Sequence, residues 1–370
     1  MKISFIVSDF KPISSGIGNA TYDLSEALIK KGFDVNIITP RRIKESKKIE
    51  VIDGMDIIRP KYIPKSGNKY FNLFRTFIFI LVSIFYSYKC DPDIILSQEP
   101  DKTGPMAIII GKLFNKKIIS YTHADPHFLD SLFLTKFTYK YSNILWTTNN
   151  DFKKIISKLS PNKKIIVIPN IKQRESDLLS IDKSILRKKF NMDGRKKHFL
   201  CIGRLVSFNG VEIKGISYVI SAFKELGDNY ILHIFGEGPL LKNLQNLARG
   251  HKNIIFYGNV DKQILMEYIY ASDCFILSSL TEGLSMSFLE ATSVHTPLIT
   301  TKTSGVIDYI RDGYNGIYIK KKDMYSIISA VKRMLMPKTY SRIKKNTKSL
   351  YESNFTPEVV VNKAIEGLNV

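Results

Sequence analysis

Short apolar runs, each followed by a stretch with helical spacing, alternate along nearly the whole chain, and this constrains the fold more than any other feature. Strands are predicted at Ile3–Val7, Val35–Ile38, Asp93–Leu96, Lys117–Tyr121, Ile144–Thr147 and Ile165–Ile168. Helices are predicted over Asn19–Lys31, Thr103–Phe114, Phe128–Tyr141 and Asn150–Leu159, with Gly32 closing the first as a C′ glycine. A second series follows the basic stretch Ile171–Lys197. Its strands are Phe199–Ile202, Tyr230–Phe235, Asn253–Phe256, Cys274–Leu277 and Leu298–Thr300, and its helices Gly215–Leu226, Pro239–Ala248, Lys262–Ala271 and Ser285–His295. Such alternation marks α/β domains built on parallel sheets. At 370 residues the chain is too long for one ordinary domain. Two Rossmann-like units with a cleft between them are expected, residues 1–170 and 171–355, with ligands beyond the strand C-termini. Residues 356–370 stand apart. Thr356-Pro357-Glu358 gives an N-cap, a proline at the first helical position and an acid in the first turn. The resulting helix, to about Leu368, has no strand after it and must pack on something already built.

Composition narrows the class. Apolar residues at 44% support packed cores and exclude a disordered chain. Three cysteines, Cys90, Cys201 and Cys274, lie in or beside apolar runs without metal-ligand spacing, which fits a reducing, cytoplasmic compartment. The start, MKISFIVSDF, reads as a first strand and lacks the apolar core of a signal peptide. A formal charge of +21 favours anionic partners or a lysine-rich solvated surface. No nucleic-acid-binding signature accompanies it, and nucleic acid is not an expected partner. Tyr70–Tyr88 is aromatic and apolar, but its uninterrupted part, Thr76–Tyr88, spans 13 residues. That is about 20 Å as helix, too short to cross a membrane. Either a buried helix or a helix lying on an anionic membrane surface fits, the latter helped by Lys61, Lys65, Lys69, Arg75 and Lys89.

The chemistry-bearing residues gather in loops at predicted strand ends. Glu282 and Glu290 lie eight residues apart around Gly283 and a helix beginning near Ser285, with Glu290 roughly two turns in. The helix N-terminus between them, with free N–H groups and a positive dipole end, suits an anionic ligand flanked by hydroxyls. A nucleotide sugar has that layout. A capping box, Ser287-x-x-Glu290, with Glu282 as a solvated loop acid is the plainer alternative. Gly16 and Gly18 form a partial glycine-rich turn after the first strand, which would let backbone approach a phosphate or simply turn tightly. His123 ends another strand, as a structural or a cleft-facing histidine. Arg204 and Lys214 converge on the loop after the first strand of the second half, where they can neutralise a diphosphate without metal or serve as ordinary surface charge. Asp91-Pro92-Asp93 imitates a metal-binding D-x-D but precedes a strand rather than following one.

Taken together, GRL…KG, FGEGP, FYGNV and EGLSMSFLEATSVHTPLITTKTSGVIDYIRDGYNG in the second half, with SSGIGNATYDLSEALIKKGFDV, PDIILSQ, YTHAD and VIPN in the first, resemble the GT-B-fold retaining glycosyltransferases of family 4. The resemblance implies two Rossmann-like domains facing a cleft, the first binding acceptor and the second the nucleotide sugar, with the C-terminal helix crossing back to the first. It implies donor diphosphate on Arg204 and Lys214, ribose hydroxyls on Glu290, and hydroxyls of the transferred sugar on Glu282. The backbone of Gly283, Leu284 and Ser285 would lie nearby, with Gly16, Gly18 and Val260 lining the donor site and His123 near the reacting sugar. Arg204 and Lys214 are ten residues apart where the family usually has about five, and Phe208–Glu212 is an apparent insertion. Ser285 stands in place of a frequent Pro, His295 of a common Gly, and Asp308 of a common Glu.

The expected function is therefore metal-independent, retaining transfer of a hexose from a nucleotide diphosphate sugar, a UDP-sugar foremost, to a hydroxyl of a glycan or lipid-linked acceptor. No cofactor is expected. Cell-surface polysaccharide or glycolipid synthesis at the inner face of the cell membrane fits this chemistry. A same-fold sugar phosphorylase or glucan synthase, or a basic protein that binds anionic polymers, are the alternatives.

Overall fold

The computed structural model describes residues 1–13, 15–41, 43–44, 46–60, 69–126, 129–173, 175–208 and 210–368, with backbone alone over 69–75. Ser14, Lys61, Lys65, Phe128 and Asn209 lie outside the described residues, as do the side chains of Lys69, Asn72 and Arg75. The chain forms two compact units, Met1–Ile171 with Pro357–Val370, and Lys172–Thr356.

The first unit carries an eight-stranded sheet of β1 (Lys2–Ile6), β2 (Asp34–Ile38), β3 (Ile49–Ile52), β4 (Met55–Ile58), β5 (Ile94–Ser97), β6 (Lys117–Thr122), β7 (Ile144–Thr147) and β8 (Lys164–Val167). The spatial order is β3-β4-β2-β1-β5-β6-β7-β8. Pairing is parallel except for β3 against β4. β1, β5, β6 and β7 are buried over almost their whole length, as strands covered on both faces must be. The β3–β4 hairpin was not foreseen. Its turn, Asp53-Gly54, has both residues at positive φ (49° and 81°), the twist that suits a two-residue hairpin. The first helix begins at Gly16, not Asn19, because Ser15 Oγ accepts from Gly18 N at 3.0 Å and caps it there.

The second unit holds β9 (Lys197–Ile202), β10 (Ser207–Phe208), β11 (Val211–Glu212), β12 (Tyr230–Phe235), β13 (Ile254–Gly258), β14 (Cys274–Leu277), β15 (Leu298–Thr301) and β16 (Ile317–Ile319). Six of these form a parallel sheet in the order β13-β12-β9-β14-β15-β16, while β10 and β11 make a small antiparallel hairpin. In both sheets the chain winds outward from a central strand, first to one side and then to the other. The reversal falls at β1/β5 in the first unit and at β9/β14 in the second. Connections leaving in opposite directions open a crevice at the strand C-termini there.

Tyr70–Tyr88 falls within a 22-residue helix, Lys69–Cys90. One face is buried through Ser83, Tyr86 and Ser87. The other shows solvent Phe77, Leu81, Phe85 and Tyr88, spaced so that all four share one stripe. No helix among the described residues is long and apolar enough to cross a membrane.

The last helix, Pro357–Leu368, belongs to the first unit. Val360, Val361, Ala364 and Leu368 enter its main core beside Leu24, Leu28 and Trp146. Lys117 Nζ donates to Leu368 O at 2.6 Å. Burial of Val360, Val361 and Leu368 contributes about 1.5–3 kcal/mol each. A chain truncated after Thr356 is therefore expected to melt several degrees lower, with loss of the first unit's near-UV circular dichroism. An unchanged melting curve would contradict this packing.

Candidate active site

In the second unit the crevice at β9/β14 is built by two turns. Gly203-Arg204-Leu205 leaves β9, and Ser278-Ser279 leaves β14. Backbone bonds from Gly203 N to Phe235 O (3.1 Å) and Leu205 N to Glu237 O (2.9 Å) carry the sheet ladder past the end of β9 and stiffen the turn. Lys214 reaches across it, and its Nζ lies 2.5 Å from Glu282 Oε2. Ser279 Oγ donates to the same oxygen at 2.8 Å. The stem of Lys214 lies over Gly203, where an added Cβ would come within 2.8 Å of Lys214 Cγ. Gly203 is thus the bare floor that lets the lysine lie flat. Behind the carboxylate, a Cβ on Gly305 would sit 1.8 Å from Gly283 O, so only glycine can back the Glu282–Leu284 turn.

Two helix N-termini open near this pair, and they differ. Helix Ile216–Leu226 starts at Gly215, which has no side chain to cap it. Glu212 does so instead, accepting from Ile216 N at 2.6 Å and from Ser217 Oγ at 2.5 Å. The residues that lengthen the Arg204–Lys214 connection therefore form the β10–β11 hairpin and deliver a carboxylate that fills one positive helix end. Helix Met286–Ser293 starts at Ser285, whose hydroxyl pairs with Ser287 Oγ at 2.9 Å and makes no cap bond. Among the described residues no acceptor takes the N–H groups of Met286, Ser287 or Phe288. The cap position is Ser285, so Ser287-x-x-Glu290 is not a capping box. Glu290 is buried and is the fifth helical residue, just over one turn in rather than two. A positive helix end left without an acceptor among the described residues, beside Lys214 and Glu282, is a place that can stabilise an anion.

The remaining second-unit residues surround this centre. Leu284 and Ser285 are buried and Gly283 partly so. Arg204 is exposed and makes no ion pair among the described residues. Val260 is half-buried after the Gly258-Asn259 turn, which Glu237 holds by accepting from Asn259 Nδ2 at 3.3 Å.

In the first unit, Gly16 and Gly18 lie in the first helical turn. Gly18 is pressed against Asp9, where a Cβ would meet the carbonyl oxygen at 2.9 Å, while Gly16 has open space around it. His123 directly follows β6. Its Nδ1 is 3.0 Å from Asn170 Oδ1, its Nε2 meets Gln98 Oε1, and its ring lies 3.9 Å from that of Tyr121. Burial lowers its pKa to about 4, so the ring is neutral at pH 7 and carries one N–H. One of the two amides must then present its NH2. The Gln98 amide nitrogen is otherwise buried without a partner, and a half-turn of that amide supplies the donor to Nε2. The geometry fixes Nδ1–H toward Asn170. His123 and Gln98 line a small cavity of about 100 Å³ with Glu99, Asp101, Lys102 and Ile17. Asp91 pairs with Lys116 at 2.5 Å, and Asp93 accepts from Lys2 N at 2.7 Å.

Sequence reasoning missed Glu212, Gly305, Gln98 and Asn170. Gln98 and Asn170 each stand just past a strand C-terminus, the position that singled out His123. Glu212 carried no local signal, because its partner is a helix start beyond a hairpin that was not anticipated.

The His123 shift sets a pH dependence. Its folded pKa lies below the ordinary 6.5, so the unfolded chain binds the proton first. The stability it supports is complete above about pH 6.5 and falls as the pH drops toward 4. His233, buried beside His198 and lowered to about 3, acts in the same direction. His123→Gln should therefore reduce the loss of stability between pH 7 and pH 5 by on the order of 1 kcal/mol without abolishing it. Urea denaturation at both pH values would show it, and identical losses in wild type and variant would contradict the assignment.

Comparison with known proteins agrees with this geometry. The model for Glycosyltransferase Family 4 matches residues 14–171, and that for Glycosyl transferases group 1 matches residues 182–350. A UDP-Gal:alpha-D-GlcNAc-diphosphoundecaprenol alpha-1,3-galactosyltransferase of Escherichia coli is 26% identical, with 100% of this chain and 94% of that protein aligned. An alpha-monoglucosyldiacylglycerol synthase of Acholeplasma laidlawii is 25% identical over 87% of this chain and 86% of its own length. Among solved structures, a sucrose-phosphate synthase from Thermosynechococcus elongatus superposes with a TM-score of 0.86 at 17% identity, covering 100% of this chain and 98% of that one. The chain belongs to the group 1 glycosyltransferases and has their GT-B fold, two Rossmann-like domains.

Proposed function

We propose that this glycosyltransferase is metal-independent and retaining, and moves a hexose from a nucleotide diphosphate sugar, a UDP-sugar foremost, to a hydroxyl of a glycan or lipid-linked acceptor. The observation that carries the proposal is the Lys214–Glu282 pair at the mouth of an uncapped, buried helix. In the reaction the bond from the sugar's C1 to the diphosphate oxygen breaks and a bond from C1 to the acceptor oxygen forms on the same face. The acceptor proton goes to a donor phosphate oxygen. Lys214, Arg204 and the first-turn N–H groups of helix Met286–Ser293 stabilise the charge growing on the diphosphate, in the place a metal takes in other transferases. Glu282 Oε2 is held by Lys214 and Ser279, which leaves Oε1 for hydroxyls of the transferred sugar. Glu290 receives the ribose hydroxyls. Neutral His123 spends its one N–H on Asn170, so a sugar hydroxyl could meet it only as a donor to Nε2 in place of the Gln98 amide, and it brings no positive charge at neutral pH.

Arg204→Ala and Glu290→Ala should each lower transfer at least a hundredfold, with melting temperatures close to wild type for exposed Arg204. Gly203→Val, which pushes Lys214 off its floor, should cost at least tenfold. A thermal-shift panel of UDP, GDP and ADP sugars identifies the donor, since a ligand at 100 times its Kd stabilises the fold by about 2.7 kcal/mol. Undiminished turnover in Arg204→Ala, or loss of activity in EDTA, would refute the mechanism. Release of free sugar phosphate with inorganic phosphate would instead identify a phosphorylase.

The acceptor side favours a membrane. The Escherichia coli and Acholeplasma relatives are named for a diphosphoundecaprenol and a diacylglycerol. In this chain Phe77, Leu81, Phe85 and Tyr88 form an exposed apolar stripe, and the neighbouring helix Gly104–Leu113 exposes Ile109 and Leu113. Lys89, Lys112, Lys136 and Lys140 are exposed on these two helices and on Leu132–Tyr141, which packs beside Gly104–Leu113. Apolar insertion ringed by lysine suits an anionic lipid surface, and the cytoplasmic face of the cell membrane offers one. Leu81→Glu with Phe85→Glu should reduce co-sedimentation with anionic vesicles at least tenfold at low salt while sparing transfer to a soluble acceptor. Equal sedimentation would remove the membrane from the proposal.

A further inference from the structure

The far end of helix Met286–Ser293 points away from the donor side of its own unit. Past its C-cap, Val294, comes His295 at φ 58°, the left-handed conformation that glycine adopts freely. A non-glycine residue held there asks for a reason, and such conformations concentrate where a side chain is needed for function. Val294 and His295 border a surface cavity of about 460 Å³, within the range of small-molecule sites, together with Ser176, Tyr270, Lys344 and Lys348.

The electrostatics of the cavity are one-sided. Lys344 and Lys348 are one turn apart on helix Pro337–Asn354 and so share a face, a repulsive arrangement for two cations. Among the described residues neither makes an ion pair and no carboxylate lines the cavity. Ser176 adds a hydroxyl whose donor has no partner among the described residues. Tyr270 donates its own proton to Ile181 O at 3.2 Å and carries Lys183 over its ring at 4.7 Å. Burial, then the charges of Lys344 and Arg187, lower the Lys183 amine to about 7, although Asp273 opposes this. An anion in the cavity would relieve the repulsion between Lys344 and Lys348.

We propose that this cavity binds a phosphomonoester dianion of a soluble small molecule, on Lys344, Lys348, His295 and Ser176. Helix Met286–Ser293 is about 12 Å long and joins this site to the Glu282 mouth through one buried rod.

The test titrates inorganic phosphate and phenyl phosphate into the full chain at constant ionic strength, followed by calorimetry. Four proteins are compared: wild type, Lys344→Ala with Lys348→Ala, His295→Gly, and Lys214→Ala. The expected result is saturable binding in wild type and in Lys214→Ala, weakened at least tenfold in the other two. His295→Gly should melt at or above the wild-type temperature, because glycine suits the backbone there, and yet lose binding. A residue kept only for packing would not combine those effects. Binding lost in Lys214→Ala and kept in the lysine pair variant would place the phosphate at the donor site and overturn the proposal. Saturation no stronger than with chloride would also overturn it, as would tight binding to phosphatidic acid vesicles that free phosphate does not displace.

Discussion

A lysine ammonium and a glutamate carboxylate, 2.5 Å apart and both largely shielded, organise the second unit's crevice. Neither could hold its place alone. Lys214 sits at the end of a connection that Ser278 Oγ clasps by donating to its carbonyl at 2.8 Å, and its stem needs the bare Gly203 beneath it. Glu282 needs Gly305 behind it. Removing either partner would leave the other an uncompensated, largely shielded charge, so each needs the other in the crevice. A ligand entering there exchanges one set of partners for another and does not have to desolvate isolated ions.

The crevice is made selective by what is already filled. Two helices end their first turns close to the pair, and both carry the positive end of a helix dipole. Glu212 closes one with a side chain brought in by the β10–β11 hairpin. Among the described residues the other keeps its first-turn N–H groups open, the Ser285 hydroxyl turning to Ser287 instead. A lengthened loop that looks like drift in sequence thus closes one of the two positive helix ends beside the pair.

Much of this was legible in the chain itself. The parallel architecture followed from alternation, since buried strands such as Cys274–Leu277 admit no polar face, and Lys214 and Glu282, singled out in loops past strand ends, stand together as an ion pair. What escaped has a common physical cause. The Asp53-Gly54 hairpin was passed over because its strands are only four residues each, and the outer one, Ile49–Ile52, is exposed or half-buried throughout although Met55–Ile58 is buried at three of its four positions. Gln98 and Asn170 matter through a neutral imidazole that neither contacts in sequence. Gly305 matters through a backbone 22 residues away. Helix starts were misplaced by three residues where Ser15 caps earlier than the apolar pattern begins, and by four where Ser131 caps later than the start expected at Phe128.

The helix Pro357–Leu368 completes a core whose other members were synthesised before the second unit. At 5–20 residues per second the ribosome takes about 10–40 s to traverse the second unit. For that interval the nascent first unit presents an open apolar groove beside helix Gly16–Ile29. Chaperone occupancy during translation should accordingly track the length of this delay, and slow codons within the second unit would prolong the chain's exposure to aggregation.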